Sequence, residues 1–205
     1  MTKHGVPRWF ILALVLICVI VLALGVAVGR QLWTGRQAKS QADAAGASYF
    51  SSCSFDQAGQ VPDGTIIGTL QLPGDATTWP IRAGTDEASL TAGVGWFSQT
   101  ALPGQLGNMA VIGRRLITGG AFDAILDLKV GDQVVVHTCE SQYTYTIFVA
   151  PSDLTVQRSD GWVLDPTPGS SGQLPTQAIL TLIANQDIIG SSDLAVGFAK
   201  LTGTS

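Results

Sequence analysis

Few side chains in this sequence are equipped for covalent or acid–base chemistry, and their spacing narrows the options. The chain holds two histidines, His4 and His137, and three cysteines, Cys18, Cys53 and Cys139. His137 and Cys139 stand two apart in an extended run and so share a strand face, which is the arrangement of a thiol and imidazole pair. Ser191, Ser192 and Asp193 form a second polar group, but no histidine base accompanies them and no Gly-x-Ser-x-Gly elbow occurs. The pattern speaks against a serine hydrolase. Acidic residues are scattered singly and no cysteine or histidine spacing matches a zinc site, so neither a metal nor a cofactor is expected. Arg114 and Arg115 follow the apolar run Gly107–Gly113; paired guanidinium groups there can grip a carboxylate through two parallel hydrogen bonds.

The elements that must position these groups are short. From Gly64 onward the chain breaks into apolar segments cut by Gly, Pro, Asp and Ser: 65–72, 79–83, 109–113, 133–139, 143–150, 154–157, 178–183 and 194–201. Segments of this length, rich in β-branched residues, read as the strands of a sandwich or barrel. Tyr143, Tyr145 and Ile147 alternate with Thr144 and Thr146, which buries one face, and Cys139-Glu140-Ser141-Gln142 connects two runs as a hairpin. Two short helices are expected, at Glu87–Ala92 and Phe122–Leu128. The fold class is mostly β.

Residues Trp9 to Gly29 form an unbroken apolar run, and about 20 such residues suffice to cross a bilayer as a helix. The core of a cleavable signal peptide is shorter, ~7–15 residues, so the run reads as an uncleaved transmembrane anchor. The rest of the chain reads as an Ala/Ser/Gln-rich spacer over 30–60, its first turn or two prolonging the helix, followed by one domain over 61–205. Basic residues flank the run on both sides, and charge alone does not orient it. Residues 41–205 carry fifteen acidic against six basic side chains, a net of −9, which argues against nucleic acid or an anionic lipid surface as partner. Cys18 lies in the apolar run as a packing residue; Cys53 and Cys139 remain, either as a disulfide or as two unpaired thiols.

Taken in order, Gly68-Thr-Leu-Gln-Leu-Pro73, Trp79-Pro80-Ile81, Gly84-Thr85-Asp86, Thr100-Ala-Leu-Pro-Gly104, Gly107-Asn108, Gly113-Arg114-Arg115, Gly131-Asp132, Tyr143-Thr-Tyr145, Pro168-Gly169 and Leu180-Thr181-Leu182 resemble the landmarks of sortases. The likeness is to the class E and class F enzymes of actinobacteria, over roughly residues 64–201. It implies a closed β-barrel of about eight strands on the outer side of the plasma membrane of a Gram-positive cell, with the N-terminus cytoplasmic. Sortases cleave a sorting signal, hold it as a thioester and pass it to an amine. That chemistry takes a cysteine nucleophile, a histidine acid and an oxyanion-stabilising arginine.

On this resemblance the histidine position falls at Arg114 and the cysteine position at Asn185. The arginine position falls near Ser191–Leu194, yet no arginine follows Arg158 and no cysteine follows Cys139. In the implied fold His137 and Cys139 sit at a hairpin tip far from the groove, as a surface histidine and a structural cysteine. The expectation is therefore an inactive sortase-like module that binds or scaffolds. Its groove candidates are Arg114, Arg115, Asn185, Asp187 and Asp193, with Arg114 either free to take a carboxylate or paired to Asp187 or Asp193. Its partner is an unidentified protein or peptide, or an integral membrane complex to which it is an accessory subunit. The alternative is an active cysteine transpeptidase or hydrolase with non-standard catalytic residues.

Overall fold

In the computed structural model, residues 8–53, 61–91, 93–115, 119–187 and 192–205 are described, with the side chains of 8–13 omitted. One helix, α1 (Arg8–Ser52), precedes nine strands: β1 (Ile66–Gln71), β2 (Trp79–Ala83), β3 (Val94–Trp96), β4 (Gly107–Gly113), β5 (Gln133–His137), β6 (Gln142–Val149), β7 (Thr155–Gln157), β8 (Ala178–Asn185) and β9 (Asp193–Thr204). A short helix, α2 (Glu87–Thr91), lies between β2 and β3. The strands pair in the order β6-β5-β1-β2-β3-β4-β8-β9, and a further β6–β9 pairing closes the ring. The barrel thus has eight strands. β7 lies outside the ring, on the first residues of β9. The twelve residues of β9 make this possible, since its start pairs with β7 and its end with β6.

The strand missing from the sequence reading is β3. It is three residues with a glycine at its centre, too short for a period-2 signal, and it is held by β2 on one side and β4 on the other. The helix expected at Phe122–Leu128 is reduced to a 3-10 turn, Ile125–Asp127. Ala92, at the end of the other expected helix, lies outside the described residues, as do 54–60 and Ser191.

The larger difference concerns the expected spacer. α1 continues without a break to Ser52, so residues 30–52 are helix. No proline interrupts them, and Ala, Gln and Lys favour the conformation. Its first part is long and apolar enough to cross a membrane. Its second part lies on the barrel along a stripe of small residues, Gly35, Ala38, Ala42, Ala45 and Gly46, that ends in the larger Tyr49, spaced three and four apart as one helix face requires. Ala42 is fully buried. A Cβ on Gly46 would lie 3.4 Å from Thr69 Cγ2, so the small residue lets the helix approach β1.

Polar contacts fix this seat. The Thr78 backbone N–H donates to Asp43 Oδ1 at 3.1 Å, and Lys39 Nζ pairs with Asp75 Oδ1 at 3.5 Å. The Tyr49 hydroxyl donates to Ile67 O at 3.2 Å and accepts from Cys139 N at 3.3 Å; burial raises its pKa above the ordinary tyrosine value. A disulfide joins Cys53, just past the helix end, to Cys139 in the β5–β6 hairpin, with the Cα atoms 5.5 Å apart.

The barrel interior is packed by Trp79, Tyr145, Phe122, Ile81, Met109, Leu180 and Leu182. Tyr145 accepts a hydrogen bond from Gly104 N at 2.8 Å, and burial pushes its hydroxyl up to about 12. A second apolar cluster, Val156, Val163, Ile183, Leu194, Val196 and Phe198, lies on the outer face of β8 and β9. The segment 150–177 covers it. β4 and β8 are therefore buried on both faces, unlike β5, which alternates.

Candidate functional site

β4 and β8 are neighbours and parallel, with Ile112 opposite Ile183, so their C-terminal ends arrive together. Side chains alternate along a strand, which places Ile112 with Arg114, and Ile183 with Asn185, on the outer, groove-facing side. β9 begins at the same end, with Leu194 opposite Asn185. Three chain segments far apart in sequence therefore converge on one rim.

Beside this rim lies a groove of about 260 Å³. Ile112, Ile183 and Leu194 form its floor, and Phe97, Leu90 and Thr85 one side. Arg158, Asp160 and the 3-10 turn Gly161–Leu164 form the other. That wall is anchored by Asn108, a buried residue of β4. Its Nδ2 donates to Val163 O at 2.8 Å and Asp165 O at 3.1 Å, and its Oδ1 accepts from Thr181 Oγ1 at 2.6 Å. One carboxamide thereby ties β4, β8 and the covering segment together.

Each candidate residue has a defined place. Arg114 forms an ion pair with Glu87 in the first turn of α2, where the sequence left it either free to take a carboxylate or paired to Asp187 or Asp193. α2 is held there by Asp86, whose Oδ1 accepts from Ser89 N at 2.7 Å; that bond keeps the Asp86 carboxyl below its usual pKa. Arg115 Nη1 donates to Asn185 O at 3.0 Å and also to Gln186 O. Arg158 Nη2 donates to Asn185 Oδ1 at 2.9 Å. Asp187 is exposed just beyond β8. Asp193 is the first residue of β9 and its carbonyl accepts from Gln186 N at 2.9 Å.

Arg115 Nε and Gln186 Oε1 are buried and find no hydrogen-bond partner among the described residues. His137 and Cys139 lie elsewhere: His137 ends β5 with its ring edge-on to Phe50 of α1, and Cys139 is in the disulfide. No cluster of three or more His, Cys, Asp or Glu side chains able to hold a metal ion occurs among the described residues. Sequence reasoning missed Glu87, Arg158 and Asn108. Their partners are 27, 27 and at least 55 residues away, distances at which no local pattern carries a signal.

A model of the sortase domain matches residues 70–199. The chain belongs to the sortase family. Among solved structures, sortase E from Streptomyces avermitilis superposes with a TM-score of 0.62 at 30% identity, covering 71% of this chain and 93% of that one. A sortase from Actinomyces oris gives a TM-score of 0.66 at 26% identity, over 72% and 85% of the two chains. Sortase E1 from Streptomyces coelicolor, solved with a tripeptide in its active site, gives 0.61 at 26% identity over 71% and 93%. No curated protein sequence matches the chain. The rim at β4, β8 and β9 and the groove beside it lie within the matched domain, which is preceded by a helix long and apolar enough to span a membrane.

Proposed function

We propose that this chain is a membrane-anchored sortase-like module that has lost transpeptidation and kept its groove as a binding surface. The observation that carries this reading is Asn185. It ends β8 on the groove rim, its carboxamide is held by Arg158, and its carbonyl by Arg115. A carboxamide in that position cannot form a thioester, and both cysteines outside the apolar run are consumed in a disulfide. The histidine position of the family is filled by Arg114, and a guanidinium does not take the part of an imidazole as a proton shuttle. The ectodomain's single histidine, His137, lies beside α1.

The groove itself is open and apolar, with Arg158 at its rim. These are the attributes of a site that takes an extended peptide with an acidic or carboxylate group near one end. We place the domain outside the plasma membrane of a Gram-positive, actinobacterial cell with the N-terminus inside; the disulfide supports an oxidising compartment. A labelled sorting-signal peptide, titrated against the full-length protein in detergent and read by fluorescence anisotropy, tests the reading. Saturable binding abolished by Leu194→Arg, which fills the groove floor, is the expected result. Binding unaffected by that substitution would place the peptide elsewhere and remove the basis for the proposal.

A second role, as an accessory subunit of a membrane complex, is favoured by the continuity of α1 with its seat on the barrel. A helix so fixed would hold the domain at a set height over neighbouring helices. Co-purification in mild detergent with stoichiometric membrane proteins is expected under this reading, and recovery of the chain alone counts against it.

A further inference from the structure

Among the described residues, α1 touches the chain leaving the rim of the candidate site at Gly119. Gly119 has φ +89°, and a Cβ placed on it would lie 2.4 Å from Gly35 Cα. The two backbones are therefore in direct contact. Gly35 is buried and stands six residues beyond Gly29, the end of the apolar run, which is about 9 Å along a helix axis.

Gly119 belongs to the segment that links β4 to Phe122. The Phe122 N–H donates to Arg114 O at 3.0 Å, and the Phe122 ring packs on Gly113 so closely that a Cβ there would sit 2.5 Å from its Cγ. Arg115, which follows Arg114, reaches across to the carbonyls of Asn185 and Gln186, while its buried Nε finds no partner among the described residues. The other end of the same helical stripe behaves differently. Gly46 and Tyr49 meet β1, the Thr78 backbone and the hairpin, away from the rim.

We propose that the membrane-proximal half of the α1 seat is a positioning element for the candidate site. Gly35, by its contact with Gly119, sets the approach of the chain to Phe122, and through the Phe122–Arg114 hydrogen bond it sets the grip of Arg115 on the end of β8. Closely packed elements do not deform continuously, and a coupling of this kind is reciprocal. A shift of the helix in the membrane is transmitted to the rim, and occupancy of the rim is transmitted to the helix. The inference stands whether or not the groove has lost catalysis.

The test uses the full chain in detergent micelles and two substitutions on one stripe, Gly35→Leu and Gly46→Leu. The readouts are the arginine side-chain ¹⁵N resonances of Arg115 and hydrogen exchange of the Phe122 amide, beside the melting temperature. A guanidinium pinned to two carbonyls rotates slowly and gives resolved Nη signals. Gly35→Leu is expected to merge these signals and to speed Phe122 exchange at least tenfold. Gly46→Leu is expected to lower the melting temperature while leaving both unchanged. Gly35→Ala, which adds a single methyl group at the contact, is expected to change both readouts in the same direction to a smaller degree, and it carries the comparison with Gly46→Leu if Gly35→Leu does not fold. Parent-like Arg115 signals and Phe122 exchange in the Gly35 variants, or equal disturbance by Gly46→Leu, would overturn the proposal.

Discussion

The seat of α1 on β1 and β2 and the rim where β4, β8 and β9 meet are built from the same barrel to opposite specifications. The seat is lined by small side chains, carries hydrogen bonds from Thr78, Lys39 and Tyr49, and is closed by a disulfide. The rim gathers three arginines within reach of one strand end, keeps an open groove beside it, and holds two of the three buried polar side-chain atoms without a hydrogen bond among the described residues. Unsatisfied polar groups and uncovered apolar surface cost stability and are tolerated where a ligand benefits from them. The contrast agrees with the proposed division, in which the seat supplies stability and the rim supplies recognition.

The strongest way to break that contrast is to cut the disulfide. It closes a loop with a sequence separation of 86, and its loss, by reduction or by Cys53→Ser with Cys139→Ser, is expected to cost about 2–5 kcal/mol. Urea denaturation of both forms measures it. The groove wall answers to Asn108. Replacing it with alanine strands the carbonyls of Val163 and Asp165 and the Thr181 hydroxyl, with an expected loss of about 2–4 kcal/mol. That loss should be accompanied by faster proteolysis within 150–177, which a purely seat-side change would not produce.

Acid sharpens the comparison from the seat side. Burial pushes Asp75 up, but hydrogen bonds from Thr77 N and Trp79 Nε1 and the Lys39 ammonium outweigh it, so its carboxyl is held below the ordinary value. A depressed carboxyl contributes stability above its unfolded pKa, about 3.9, and loses it as pH falls through the folded value. Stability is therefore expected to be flat in Asp75 above pH ~5 and to decline below pH ~4, with Asp75→Asn showing a shallower acid limb. The smallest effect belongs to the Arg114–Glu87 pair, which is largely solvated on the Glu87 side. Glu87→Gln is expected to change stability by less than about 1 kcal/mol, while releasing Arg114 for an anionic ligand, seen as tighter peptide binding.

Much of the barrel was legible because its strands carry β-branched residues in short runs punctuated by turn formers. The runs at 79–83, 109–113 and 178–183 fall within β2, β4 and β8. β3 was not legible: Val94-Gly95-Trp96 is a strand through its neighbours and not through its own pattern. The segment after Gly29 misled by composition. Ala, Ser, Gln and Gly read as a linker when counted, yet their order from Gly35 to Tyr49 is a helical stripe of small residues, visible only once a surface is supplied for it to meet. At the rim, the strand-end positions Arg114, Arg115 and Asn185 followed from the resemblance to sortases carried by the runs that precede them. What those side chains hold could not, because Glu87 and Arg158 come from other parts of the chain.

The central claim is that the groove binds without turning over. Incubating the full-length protein with a sorting-signal peptide and an excess of an amine acceptor, followed by intact-mass spectrometry of protein and peptide, tests it most directly. The account predicts peptide recovered uncut and protein at its unmodified mass. An amine-linked transfer product, or an acyl adduct on the protein, would contradict it.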